Sequence, residues 1–226
     1  MNKRILVGIA LLIIAGIIIG VYFLTNDNSN SAVTEDSLRF KEENEALNSE
    51  LNEDGTNRYT PLSIREDNNI VYLTYEGLLD LYNNKTGILY IGRAASPWCR
   101  LLIPFMLDFA EEENVNIYYF DIEDDKAENT EEYKNILSMF DEFLQTDTIT
   151  QNEDDPDFDP DLKRVVLPHL FFIQNGEIEA DLPMFQHEYL RDNESDKVKQ
   201  LLREKHNATA SYFGNTAISD DGDCEC

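Results

Sequence analysis

Basic residues are scarce. The chain carries 18 Lys+Arg against 45 Asp+Glu, a formal net charge of -27 and a pI near 4.2. That deficit excludes a nucleic-acid binder that grips phosphates with its own basic surface. It also excludes a polybasic hold on anionic lipid. Cysteine is nearly absent: three residues, an odd number, cannot staple a disulfide scaffold. The three histidines, His169, His187 and His206, have no ligand spacing with each other or with a cysteine. No metal site and no cofactor motif is therefore read from the sequence. What the chain does have is apolar mass. Hydrophobic residues make up 42% and aromatics 11%, enough to exclude wholesale disorder. A length of 226 residues fits one domain with appendages.

Residues 5–24 read ILVGIALLIIAGIIIGVYFL, twenty positions without a charge. As a helix at about 1.5 Å per residue they span about 30 Å, a bilayer core. Lys3 and Arg4 precede them and the next base is Arg39, which places the N-terminus in the cytoplasm and the rest outside the membrane. The expectation is an uncleaved single-pass anchor over 1–24 with an extracytoplasmic C-terminal part. The competing reading is a cleaved signal peptide, whose apolar stretch usually runs only ~7–15 residues. No Cys follows the apolar stretch before Cys99, which excludes a lipoprotein.

Residues 25–68 are predicted to be a polar tether carrying one short helix with Leu38, Leu47 and Leu51. The compact part is predicted over 69–205. Ile70–Leu73 reads as a strand and Thr74–Tyr82 as a capped helix. Gly87–Gly92 is a buried strand, Pro97–Glu113 a helix and Val115–Ile122 a strand. Glu131–Phe143 is helical. His169–Ile173 and Glu177–Ala180 flank Asn175-Gly176, a hairpin signal, and Glu188–Glu204 closes as a helix. This order predicts an α/β fold, a mixed sheet with helices on both faces. Residues 145–163 form an acidic insertion, and 206–226 a polar flexible tail ending Asp-Cys-Glu-Cys.

Two landmarks carry a resemblance. The first is Tyr90-Ile91-Gly92-Arg93-Ala94-Ala95-Ser96-Pro97-Trp98-Cys99-Arg100; the second is Leu167-Pro168-His169-Leu170-Phe171-Phe172-Ile173-Gln174-Asn175-Gly176. Over roughly residues 70–204 the chain resembles the thioredoxin superfamily, and most of all its bacteriocin transport accessory-like group. There a strand leads through Gly-Arg into Cys-Pro-Tyr-Cys-Arg, and a cis-proline precedes a strand and hairpin. The resemblance implies a thioredoxin-like three-layer sandwich with a mixed central sheet, here preceded by the transmembrane helix. It also implies that Pro168 is cis, and that Leu167 before it offers backbone to bound peptide.

One departure from the family pattern decides the chemistry. Ser96 stands where the family has its first, nucleophilic cysteine; only the second remains, as Cys99. A dithiol works because a thiol at a helix N-terminus loses its proton readily and attacks a disulfide, and the second thiol then resolves the mixed disulfide. A serine hydroxyl does neither. Ser96-Pro97 is instead a good helix start, a capping hydroxyl with proline at the first helical position. Cys99 is either a buried, inert thiol or a working one, a monothiol that forms mixed disulfides or pairs with Cys224 or Cys226 of the tail. That tail, about twenty residues long, has an r.m.s. reach of ~25 Å. Trp98 either offers a flat apolar contact or caps the strand ends. With Pro97, Leu167 and Pro168 it outlines a peptide-binding groove.

Residues 141–161 hold nine acids and no base, with Asp155, Asp157, Asp159 and Asp161 in alternation. The pattern is similar to the start of a calcium loop. The central glycine is missing, however, and Val166 stands where a closing Glu is needed, so a solvated insertion is the expectation. Three functions stay open. The first is a membrane-anchored accessory module that binds exported polypeptide or a membrane complex without catalysis. The second is a thiol-disulfide oxidoreductase using Cys99 with a tail cysteine. The third is an acidic surface or structural domain. The oligomeric state is left open.

Overall fold

The structure, a computed structural model, describes residues 32–122, 128–146 and 163–211. The expected membrane anchor, the core of the acidic insertion (147–162) and the Cys-x-Cys of the tail lie outside the described residues. Among those described, no helix is long and apolar enough to cross a membrane.

Four helices start on a hydroxyl. Thr34, Thr74, Ser96 and Thr130 each accept a hydrogen bond from a backbone N–H three residues on. Each is the capping residue expected before an apolar stripe. They open α1 (Glu35–Ala46), α2 (Tyr75–Asn84), α3 (Pro97–Glu112) and α4 (Glu131–Met139). The strands are β1 (Ile70–Tyr72), β2 (Gly87–Gly92), β3 (Ile117–Asp121), the short β4 (Gln145–Thr146) and β5 (Lys163–Arg164), then β6 (His169–Gln174) and β7 (Glu177–Pro183). Helices α5 (Glu188–Arg191) and α6 (Ser195–Ser211) follow.

Five strands form one mixed sheet in the order β1-β3-β2-β6-β7. β1 and β2 each run parallel to β3, while β6 is antiparallel to β2 and β7 antiparallel to β6. Alternation along the strands divides the core into two layers. Ile88, Tyr90, Tyr119, Leu170 and Phe172 pack with α1, α3 and α6. Leu89, Ile91, Phe120, Phe171 and Ile173 pack with α2 and α4. This is the thioredoxin-like three-layer arrangement. Every position of the central β6 is buried, so it reads as a continuous run rather than an alternating one. The hairpin turns at Asn175 (φ 50) and Gly176 (φ 83), the doubly positive pair that such turns require. A Cβ on Gly176 would lie 2.3 Å from the Asn83 carbonyl oxygen.

Three boundaries differ from expectation. The segment 33–68 is no tether: it belongs to the domain. Phe40 is 1% exposed and meets Tyr119 edge-on at 5.2 Å, and Leu62 and Ile64 are buried. The rest of its attachment is polar. Asn48 exchanges two hydrogen bonds with Leu62 (2.7 and 2.8 Å), Ile64 N donates to Glu45 (2.6 Å), and Asn68 donates to the Ser37 carbonyl (2.8 Å). A segment fastened by side-chain amides has too few apolar residues to show periodicity. The helix expected over 131–143 ends at Met139 and continues as a 3-10 turn, Asp141–Phe143. There Phe140 turns in to stack on Phe171 at 4.4 Å. The helix expected over 188–204 is two helices. Asn193 (φ 55) breaks it after α5, and α6 runs seven residues beyond the expected end, to Ser211. The tail expected from 206 thus starts as helix. β4 and β5 pair antiparallel and close the base of the acidic insertion.

Just after the proline, His169 is fully buried and its Nε2 lies 3.0 Å from Asp181 Oδ2. The hydrogen bond from His169 holds the Asp181 carboxyl below the usual carboxylate range, against the opposing effect of burial. A depressed folded-state pKa means stability that is present above the unfolded value, about 3.9, and lost as pH falls below it. Asp181→Asn is therefore expected to cost about 1 kcal/mol at pH 7, with the gap to the native chain closing between about pH 4 and 2. Denaturant midpoints of the two proteins across that range check it. A gap that stays constant to pH 2 would remove the carboxylate from the account.

Candidate functional site

The site forms where β2 ends and α3 begins, beside the residue that starts β6. Gly92 closes β2, and a Cβ there would fall 2.5 Å from the Tyr90 hydroxyl. Glycine leaves the room in which that buried phenol sits. The chain then turns through Arg93-Ala94-Ala95 to Ser96, whose N–H donates to the Arg93 carbonyl at 3.2 Å. Ser96 is 6% exposed, in extended backbone (φ −80, ψ 122), and its Oγ accepts from the Cys99 N–H at 3.3 Å. Pro97 is exposed at the first helical position. Ser96 is thus the cap of α3, and its oxygen is engaged with the helix end.

Cys99 lies one turn in and has no exposure. Its thiol is a free thiol. Burial pushes its pKa up, with hydrogen bonds from Ser96, Tyr90 and the Arg93 backbone opposing. The Tyr90 phenol is likewise pushed well above its ordinary value by burial and by Cys99 beside it. A thiol enclosed by a phenol and a serine hydroxyl stays protonated, and a protonated thiol is neither nucleophile nor metal ligand. The tail cysteines Cys224 and Cys226 lie outside the described residues.

The Leu167–Pro168 peptide bond is cis. Pro168 is buried and Leu167 half-buried. The β2–β6 ladder begins at Ile91↔His169, so Leu167 stands beyond its last rung, alongside the loop that leads to Ser96. Trp98 is half-buried and meets Phe185 edge-on, centroids 6.0 Å apart. Trp98 therefore packs against the residues that follow β7 and stays half-exposed. Phe185 has no sequence signal; it reaches the site because β7 returns beside β6.

Sequence reasoning also passed over Arg100, the residue after Cys99. It has no exposure. Its Nε donates to the Thr60 carbonyl (2.9 Å), Nη1 to the Asn44 carbonyl (2.9 Å), and Nη2 to Asn48 Oδ1 (2.8 Å). The Tyr59 ring lies 5.6 Å from the guanidinium carbon. Among the described residues no carboxylate pairs with it. Its charge is met by carbonyl dipoles, and burial lowers its pKa. Through this one side chain α3 holds the segment 44–60 against the site. Nothing in the local sequence signals this, since the partners lie forty to fifty-six positions away.

No family model and no curated protein matches the chain. Among solved structures it is similar to thioredoxin O2 from Arabidopsis thaliana, crystallised in the oxidized state. The match has 14% identity and a TM-score of 0.37, covering 61% of this chain and 94% of that one.

Proposed function

We infer that this chain is a binding module on a thioredoxin-like fold that has given up thiol catalysis. In this reading it is held at the outer face of a membrane by residues 5–24 and takes exported polypeptide, or a membrane complex, as its client. The finer likeness to bacteriocin transport accessory proteins belongs to the same proposal. The observation that carries it is Cys99: no exposure, burial raising its pKa, and Ser96 where a nucleophile would be. The cis Leu167–Pro168 bond and the half-exposed Trp98 support a surface that pairs with extended peptide. Catalysis is absent from that surface; recognition is what it retains.

The test is thiol reactivity of the full chain in glutathione buffers of graded potential, read by alkylation and mass spectrometry. Cys99 is expected to stay a free thiol throughout. It should react at least about 100-fold more slowly than in denaturant, because reaction waits on an opening that exposes it. Cys99 found bonded to Cys224 or Cys226 at a reversible potential would replace this reading with an oxidoreductase whose second thiol comes from the tail.

A further inference from the structure

A cavity of about 330 Å³ opens at the end of the sheet opposite Ser96 and Pro168. It lies where β2 and β3 begin and β6 ends, under the last turns of α6. Its apolar walls come from Ile88, Val115, Tyr118 and Phe172. Of the polar residues that complete it, Thr86, Asn116, Gln174, His206 and Thr209, two have an enclosed atom that is unmet. Gln174 is 4% exposed, and its Oε1 has no hydrogen-bond partner; the enclosed Nδ1 of His206 has none either. Thr209, also in the wall, has its hydroxyl committed to the Lys205 carbonyl at 2.9 Å, so it offers no donor to the other two.

The chemistry of an occupant follows from these features. No Asp, Glu, Lys or Arg lines the cavity. With a chain charge of -27, an anion is repelled and nothing in the wall neutralises a cation. The occupant is therefore neutral. The volume is about twice the ~150 Å³ that admits benzene and sits at the lower end of small-molecule sites. That is room for a flat two-ring molecule against Tyr118 and Phe172. An enclosed, unmet carboxamide oxygen selects an N–H or O–H donor, since an occupant without one leaves it unsatisfied.

We propose that this cavity is a binding site for a small, neutral, flat aromatic molecule carrying one N–H or O–H donor, with Gln174 as the acceptor that selects it. The site is separate from the Ser96–Cys99 surface and does not depend on the function proposed for that surface.

The probe is 5-fluoroindole, titrated against the full chain and followed by fluorine NMR, with its N-methyl analogue as the donor-free control. Saturable binding is expected, with a dissociation constant on the order of 0.1–1 mM for a ligand of this size. N-methylation should weaken it about tenfold. Gln174→Leu, which keeps the cavity wall apolar and removes the acceptor, should abolish that difference between the two probes. Thr209→Phe, which fills the cavity, should reduce binding at least tenfold. Three results would overturn the proposal. The first is no saturable signal up to the solubility limit, which would leave a hydrated cleft. The second is equal affinity for the two probes in the native chain. The third is binding that appears only in a Tyr212→Ser, Phe213→Ser double variant, which would give the cavity to the chain's own tail.

Discussion

Replacing Arg100 with alanine is expected to destabilise the domain by about 2–4 kcal/mol, from the acceptors it leaves unmet and the lost packing of a fully buried side chain. For a unit of nearly two hundred residues that is a fall in unfolding midpoint on the order of 10 °C. The reason lies in what the guanidinium satisfies. The carbonyls of Thr60 and Asn44 and the side-chain oxygen of Asn48 all accept from it, the Asn44 bond fully buried and the other two partly so. Truncation leaves the buried Asn44 carbonyl without this donor, strips the Thr60 carbonyl of its tie to α3 and leaves Asn48 Oδ1 only the Leu62 N–H, and an unmet buried acceptor costs more than the hydrogen bond itself contributes. Arg100→Lys should recover only part of the loss, because one ammonium cannot present the fork that reaches three separated oxygens. Hydrogen exchange adds a readout that general destabilisation does not imitate. Protection of α1 and of residues 58–64 should fall before that of β2 and β6. A loss below about 1 kcal/mol with exchange unchanged would mean that water or a neighbour replaces the side chain, and that the segment is held by its other contacts.

Placing a thiol at position 96 is the second large effect. Ser96→Cys should give a protein that reduces insulin disulfides in the presence of dithiothreitol, with a gain on the order of 100-fold over the native chain. The variant would place a sulfur at the N-terminus of α3, where free N–H groups and the helix dipole favour a thiolate. Cys99, one turn on, is positioned to resolve the mixed disulfide. The cis-proline that flanks such sites is already in place. The exchange should also cost about 1 kcal/mol of stability, since a thiol is a poorer cap than the hydroxyl that accepts from Cys99 N. Activity in the native chain would contradict the binding-module reading outright. A folded Ser96→Cys protein that stays inert would show that the surface lacks more for thiol exchange than a sulfur at position 96.

Legibility followed the range of the forces involved. The starts of α2 and α3 were readable because a hydroxyl cap and the apolar stripe behind it lie within a few residues of each other, and that of α4 from its apolar stripe alone. The β6–β7 hairpin was readable because Asn175-Gly176 is a local conformational demand. The mixed sheet and the cis bond at Pro168 came through the resemblance of two short segments, whereas the order of the strands within the sheet was not read. Two other features were hidden. The segment 33–68 looked polar because its attachments are Asn48 to Leu62, Glu45 to Ile64 and Asn68 to Ser37, pairs that no periodicity marks. The break at Asn193 was missed because an asparagine in an otherwise helical pattern gives only a weak sign of the left-handed residue it becomes.

The sequence by itself determined which residue types are scarce or displaced: few bases against many acids, and serine rather than cysteine at the start of α3. Such absences need no coordinates, because a residue type that is not there cannot act. It also determined where most helices and strands begin, since caps, turns and apolar runs are local. Only the tertiary structure decided what the remaining groups do. Whether Cys99 is reactive depends on the enclosure by Tyr90 and Ser96 and on its distance from water. Whether Arg100 is a surface charge or an internal tie depends on Thr60 and Asn44 folding over it. Whether Gln174 and His206 are ordinary polar residues or the lining of a cavity depends on where α6 crosses the end of the sheet. Burial sets reactivity, charge state and binding, and burial is a property of the packed chain rather than of any stretch of it.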